Sequence, residues 1–283
     1  MTAIIALMKK QTMYTNIFKA AEKGTIDDVR FFVEQGVNVN AKANWGQTPL
    51  HQAARLSENI GILKYLVEKG ADVSAKDNHV DTPLHYAAQY NPNIEVLKFL
   101  IAQGVDVNEK GYFDSTPLHK AVVLSFPVGV DILEYLIGQG ADVNAQNDRG
   151  KTPLHLATDN TIVDKVGFLI AHGANVNAQD NDGQTPLYDG ATPDAGAIDI
   201  LKCLIANGAD VNAKNNEGWT PLHRAVFDPF GDNPNLDVLK FLIKQGADVN
   251  ARDNDGDTPL DFALTDDKLA YLREAGGKSG AEM

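Results

Sequence analysis

Apolar residues in this chain fall into two short helical runs separated by polar loops, and the pair of runs recurs along the sequence. Between Thr152 and Gly173 the first run places Leu154 and Ala157 on one face, and the second carries Val163, Val166, Phe168, Leu169 and Ile170. Spacings of three and four residues put such positions on one side of an α-helix. Thr152 suits an N-cap, and Pro153 suits the first helical position, where its missing N–H costs nothing. The second run stops at Gly173. Glycine recurs there at Gly36, Gly70, Gly104, Gly140, Gly208 and Gly246, as expected of a left-handed residue just past a helix. The following Ala-Asp/Asn-Val-Asn-Ala reads as extended chain leading to a hairpin turn rich in Asp, Asn and Gly.

Thr-Pro-Leu marks the start of the pair seven times, at Thr48, Thr82, Thr116, Thr152, Thr185, Thr220 and Thr258, with intervals of 34, 34, 36, 33, 35 and 38 residues. A period near 33 signals a solenoid of stacked supersecondary units. Two short helices with a projecting hairpin, carrying Thr-Pro-Leu-His and Gly-Ala-Asp-Val-Asn, resemble the ankyrin repeat over residues 14–276. The ending Tyr271–Gly280 resembles bacterial members of that family. The resemblance implies an all-α repeat solenoid of helix–loop–helix units with projecting β-hairpin loops.

About eight units are expected: 14–45 as an N-terminal cap, then 46–79, 80–113, 114–149, 150–182, 183–217 and 218–255, with 256–277 as a C-terminal cap. The first lacks Thr-Pro-Leu-His, and the last carries Asp261 where histidine would stand. Residues 1–13 read as a disordered or misannotated extension, with Met1, Met8 and Met13 as alternative starts, and 278–283 as a disordered tail. Five residues before each helix-ending glycine stand Phe31, Tyr65, Phe99, Tyr135, Phe168, Cys203, Phe241 and Tyr271. Stacking predicts a buried aromatic ladder, interrupted by an inert, buried Cys203 thiol.

The chain has a formal charge of −13, unevenly spread. Residues 1–141 carry 13 Lys/Arg against 15 Asp/Glu, and residues 142–283 carry 12 against 23. An acidic second half repels phosphate backbones and anionic lipid, which argues against nucleic acid and membranes as partners. It would steer a partner with a basic face. Cys203 is the sole cysteine, so no intrachain disulfide forms, which favours a reducing compartment. The expected location is cytoplasmic, or a host cell reached without a signal peptide, and the expected state is monomeric.

Catalytic chemistry is not expected. His51, His85, His119, His155 and His223 share one repeat position, so they are spaced along the array instead of converging on a metal; in ankyrin repeats this imidazole hydrogen-bonds within and between units. Gly150-Lys151-Thr152 imitates a P-loop, but Ala145 stands where its first glycine is required. Asp253-Asn-Asp-Gly256 imitates a calcium loop, but Ala251 and Phe262 occupy ligating positions. No nucleophile–base–orienter set appears, and no cofactor or metal site is assigned.

The resemblance implies a protein–protein interaction scaffold whose contact surface is the concave side, made of hairpin tips and first helices. By position, the candidates are Trp45, His79, Tyr86, Tyr90, Tyr112, Phe113, Arg149, Trp219 and Arg224. Phe227 and Phe230 join them from the longest insert between helices. Trp45, Tyr112, Phe113 and Trp219 carry most weight, because exposed aromatics act as binding anchors. Two further readings are a translocated effector using the same surface and a substrate for asparagine hydroxylation. The latter would act at the Val-Asn residues Asn40, Asn108, Asn144, Asn177, Asn212 and Asn250, a series that Ser74 breaks.

Overall fold

A computed structural model describes residues 14–123, 130–159, 163–192, 197–227 and 236–283. The chain divides into two compact units, Met1–Ala141 and Asp142–Met283. Unit one contains α1 (Ile17–Lys23), α2 (Ile26–Glu34), α3 (Pro49–Leu56), α4 (Ile60–Glu68), α5 (Pro83–Tyr90), α6 (Ile94–Ala102), α7 (Pro117–Val122) and α8 (Asp131–Gly138). Unit two contains α9 (Pro153–Asp159), α10 (Val163–Ala171), α11 (Pro186–Gly190), α12 (Ala197–Ala206), α13 (Pro221–Val226), α14 (Asp237–Lys244) and α15 (Asp266–Glu274). In each unit first helices pack on first helices, and second helices on second helices.

Every Thr-Pro-Leu starts a helical turn at its proline, and in six of the seven the threonine is in extended backbone. Histidine closes the cap. In α3 the Thr48 N–H donates to His51 Nδ1 at 3.1 Å, and Thr82–His85, Thr116–His119, Thr152–His155 and Thr220–His223 repeat the bond. An Nδ1 that accepts a backbone N–H leaves the proton on Nε2, which in His51, His85 and His155 donates to a carbonyl of the next repeat. His51 reaches Asp81 O at 3.1 Å, His85 reaches Ser115 O at 3.1 Å, and His155 reaches Gln184 O at 3.1 Å. Burial lowers the pKa of these imidazoles, so the neutral form is the one that holds the repeats together.

The second helices end as expected. Gly70 sits at φ +88°, and Ala71 N–H returns to Leu66 O at 2.9 Å. The Ala-Asp-Val-Ser-Ala stretch after it is a turn, not extended chain: Ala75 N–H reaches Asp72 O, and the Asp72 carboxylate accepts Ser74 N–H at 2.9 Å. Hairpin tips are likewise closed by turns, such as Asp77 N–H to Asp81 O at 3.1 Å, and no strand forms among the described residues.

The predicted buried ladder is one residue out of register. Phe31, Tyr65, Phe99, Tyr135, Phe168, Cys203, Phe241 and Tyr271 are all only half-buried. The core column is the next residue along, with Leu66, Leu100, Leu136, Leu169, Leu204, Leu242 and Leu272 at or near zero exposure. One residue turns ~100° around a helix, enough to move a side chain out of the core. Some of the half-buried rings carry cations from the preceding second helix, Lys98 over Tyr135 at 5.8 Å and Lys240 over Tyr271 at 5.6 Å. Cys203 is therefore not a core thiol, although partial burial still raises its pKa.

At the end of the chain, residues 278–283 differ from the expected tail. They form a 3-10 turn (Gly280–Glu282) that continues the array's bonding pattern. Asn40, Asn144, Asn177 and Asn212 each donate from Nδ2 to the glycine carbonyl after the following helix pair and accept the N–H two residues beyond it. Asn250 makes the same two bonds with Gly276 O at 3.2 Å and Lys278 N–H at 2.8 Å.

Candidate interaction surfaces

In unit one, three adjacent tips bring four sequence candidates into one line. Trp45 stacks on His79 at 5.6 Å, His79 meets Tyr112 edge-on at 4.7 Å, and Tyr112 lies 3.9 Å from Phe113 between ring centroids. Trp45 is 65% exposed, Tyr112 40% and Phe113 48%. Val80, 46% exposed, extends the strip; it takes the glycine position of the tip motif in Asp77-Asn-His-Val80, a signal the sequence reading passed over.

These tips hold non-glycine residues in left-handed backbone, Trp45 at φ +67°, Val80 at +66°, Phe113 at +57° and Asp114 at +53°. Such conformations cost an L-residue on the order of 1–2 kcal/mol. Val80 and Asp114 stand at the tip position that Gly46 holds in the first tip and that Gly150, Gly183, Gly218 and Gly256 hold in unit two. At Gly183 a Cβ would stand 2.5 Å from Asn216 Oδ1, so the close approach of neighbouring tips there demands glycine. Backbone bonds anchor the strip from behind. Asn78 N–H donates to Trp45 O at 2.8 Å, and Tyr112 N–H donates to Asp81 Oδ1 at 2.9 Å.

Tyr86 and Tyr90 do not join the strip. The Tyr86 hydroxyl donates to Asp77 Oδ2 at 2.8 Å and accepts from Gln47 Nε2, and burial pushes its pKa up. Tyr90 is half-buried with the Arg55 guanidinium 5.0 Å above its ring.

A register links each tip to the first helix of the following repeat. The last tip residue meets the residue after the capping histidine position: Gln47 with Tyr86, Asp81 with Lys120 at 3.1 Å, Lys151 with Asp189 at 2.9 Å, and Trp219 with Phe262 at 4.6 Å between rings. Trp219 thus folds against its neighbours, with Nε1–H on Asp253 Oδ2 at 3.2 Å and Phe227 at 5.4 Å, and is not an exposed anchor like Trp45. Arg149 is exposed at its tip.

In unit two a cleft of about 510 Å³ opens beside this register, lined by Lys151, Tyr188, Asp189, Trp219, Arg224 and Phe227 among others. Its origin is local. Tyr188 replaces the capping histidine and cannot close the cap with a ring nitrogen, and α11 runs only five residues, ending at Gly190. Lys151 bridges Asp189 at 2.9 Å and Asp159 at 3.1 Å. Burial and the neighbouring Asp159 push the Asp189 carboxyl up to about 7, against the pull of Lys151. Burial pushes the Tyr188 hydroxyl up to about 12. Asp189 is a first-helix candidate by position, whereas Tyr188 was missed, although Thr-Pro-Leu-Tyr in place of Thr-Pro-Leu-His was visible. Phe230, the remaining candidate, lies outside the described residues, as do most of the inserts between helices.

Among the described residues no three His, Cys, Asp or Glu side chains are grouped to hold a metal ion, and no helix is long and apolar enough to cross a membrane.

No curated protein sequence matches this chain. A solved structure described as the crystal structure of the human ASB11 ankyrin repeat domain shares its fold, with a TM-score of 0.69 at 24% identity, over 83% of this chain and 99% of that one. The family model for ankyrin repeats in three copies matches residues 4–77, 76–144, 125–215 and 191–277. Ankyrin repeats are generally protein–protein interaction modules. With its repeats matched end to end and its fold shared with a solved ankyrin domain, the chain belongs to the ankyrin repeat family.

Proposed function

We propose that this protein is a non-enzymatic scaffold that binds a partner polypeptide on the hairpin tips of unit one. The observation that carries this reading is the coincidence of exposure and strain at Trp45, Val80 and Phe113. Apolar side chains held in water on left-handed backbone cost free energy twice, and at the position of Val80 the tips of unit two avoid both costs with glycine. A partner that covers the strip recovers the exposed apolar area, and rigid aromatics lose little entropy on contact. Asparagine hydroxylation gains no support from the fold. Asn40, Asn144, Asn177, Asn212 and Asn250 use both amide groups to join repeats, which suffices as their role.

The test is affinity capture from source lysate, read by mass spectrometry, with wild type beside a Trp45→Ala/Tyr112→Ala/Phe113→Ala variant of unchanged circular dichroism. A polypeptide retained by wild type and depleted at least ~10-fold by the variant supports the assignment, since hot-spot aromatics cost ~2 kcal/mol or more each. Equal retention by both proteins removes the binding site from the strip.

A further inference from the structure

Arg224 breaks the register described above. Its position after the capping histidine pairs with the last tip residue of the preceding repeat, which for Lys120 is Asp81 and for Asp189 is Lys151. For Arg224 that residue is Gln184, and among the described residues the guanidinium makes no hydrogen bond or ion pair. It is half-buried in the unit-two cleft, together with Tyr188, Trp219 and Phe227. Among the described residues the Tyr188 hydroxyl also has no acceptor, although the residue is largely buried.

Among the described residues these two donor groups of the cleft have no protein acceptor, and a ligand can supply one. A guanidinium offers five N–H donors in a planar fork and accepts nothing. Lys151 does not compete for an incoming anion, because its charge is already divided between Asp159 and Asp189. Glu217, the remaining acid of the lining, is exposed on its tip. The geometry points to a carboxylate-binding site: an aspartate or glutamate side chain of a partner polypeptide, gripped by Arg224, accepting from Tyr188, and flanked by the Trp219 and Phe227 rings. A planar carboxylate matches the fork with two parallel bonds, and partial burial strengthens them. A dianionic phosphate would meet the surrounding carboxylates at twice the charge. A basic side chain would have to approach Arg224 itself. The site rests on the reading that the partner is a polypeptide, but it is separate from the tip strip and can be tested without the natural partner.

The experiment is an NMR titration of the whole chain with three capped tripeptides, Ac-Gly-Glu-Gly-NH2, Ac-Gly-Gln-Gly-NH2 and Ac-Gly-Lys-Gly-NH2. Trp45 and Trp219 are the only tryptophans, so just two indole N–H signals report, one for each surface. The glutamate peptide should shift the Trp219 indole and the Arg224 Nε–H signals and leave Trp45 unmoved. The glutamine peptide should bind at least tenfold more weakly. Arg224→Gln should abolish the response, Arg224→Lys should restore part of it, and Tyr188→Phe should weaken it while leaving charge selectivity intact. Equal response to the glutamine peptide, preference for the lysine peptide, or an undiminished response in Arg224→Gln would each overturn the assignment. A failed lysate capture with a positive titration would count against the tip strip alone.

Discussion

Asp81 and Lys120 are joined at 3.1 Å across two repeats, and Lys151 and Asp189 make the same contact at 2.9 Å with acid and base exchanged. Position thus sets which residues meet, while the charges at that position are free to swap as long as they complement.

The Asp81–Lys120 pair should contribute measurably to the stability of unit one. Both side chains are nearly buried, 11% and 12% exposed, and Asp81 also receives Tyr112 N–H. Asp81→Asn leaves Lys120 without its counterion and should cost about 2 kcal/mol, less than the ~3–5 of a wholly buried pair. Urea unfolding should show it, and Asp81→Asn/Lys120→Met should recover at least half of the loss. A double variant no better than the single would mean that the pair is not the cause.

Ser74 interrupts the asparagine ladder while keeping its local turn, with Ser74 N–H on Asp72 Oδ1 at 2.9 Å, as Asn108 N–H is on Asp106 at 2.8 Å. Ser74→Asn should add bonds to Gly104 O and Asp106 N–H and raise stability by about 1 kcal/mol. An unchanged urea midpoint would show that the repeat spacing there does not admit the bridge.

Val80 is β-branched, exposed and at φ +66°. Val80→Gly should stabilise the protein by about 1 kcal/mol, because glycine adopts this backbone without the Cβ clash. If the strip binds a partner, the same change should raise the melting temperature and weaken capture. A gain in stability with no effect on capture would leave Val80 as strain without a use.

Asp189 supplies a pH dependence. Its carboxyl is pushed up to about 7 in the folded chain, against ~3.9 for an unperturbed aspartate. Between these values the folded chain keeps a proton that the unfolded chain releases. The contribution of this group is therefore full below pH ~4 and falls as pH rises toward 7. The stability of wild type relative to Asp189→Asn, measured by urea unfolding from pH 4 to 8, should decline across that window. A flat or rising difference would show that the Lys151 ammonium outweighs burial.

The helix pairs, their caps and the stopping glycines were legible because Thr-Pro-Leu-His and glycine act locally, within one turn. The core column was not. Ile94-Glu-Val-Leu-Lys-Phe-Leu-Ile-Ala102 is apolar on most sides, so its periodicity does not separate Phe99 from Leu100. The burial of Leu100 is decided by what packs against it. Trp45 and Trp219 looked alike in the sequence, but one is the third residue of its tip and the other the last. Only the last faces the next first helix, so Trp45 is exposed and Trp219 is half-buried. The cleft was harder still, because it depends on the pairing of Lys151 with Asp189, 38 residues apart, and on the shortening of α11. The Lys278–Asn250 bond, which orders the end of the chain, gave no composition signal.

The boundary between Ala141 and Asp142 also separates a nearly neutral unit from an acidic one. Exposed charges are screened beyond ~8 Å at physiological ionic strength, whereas apolar contact is little affected by moderate salt. A partner seated on the aromatic strip would keep its affinity as sodium chloride is raised, and an acidic side chain docking among the carboxylates of unit two would feel the repulsive field relax. Ionic strength is thus a dial that turns one surface and leaves the other in place, and a single salt series can tell which of them a partner uses.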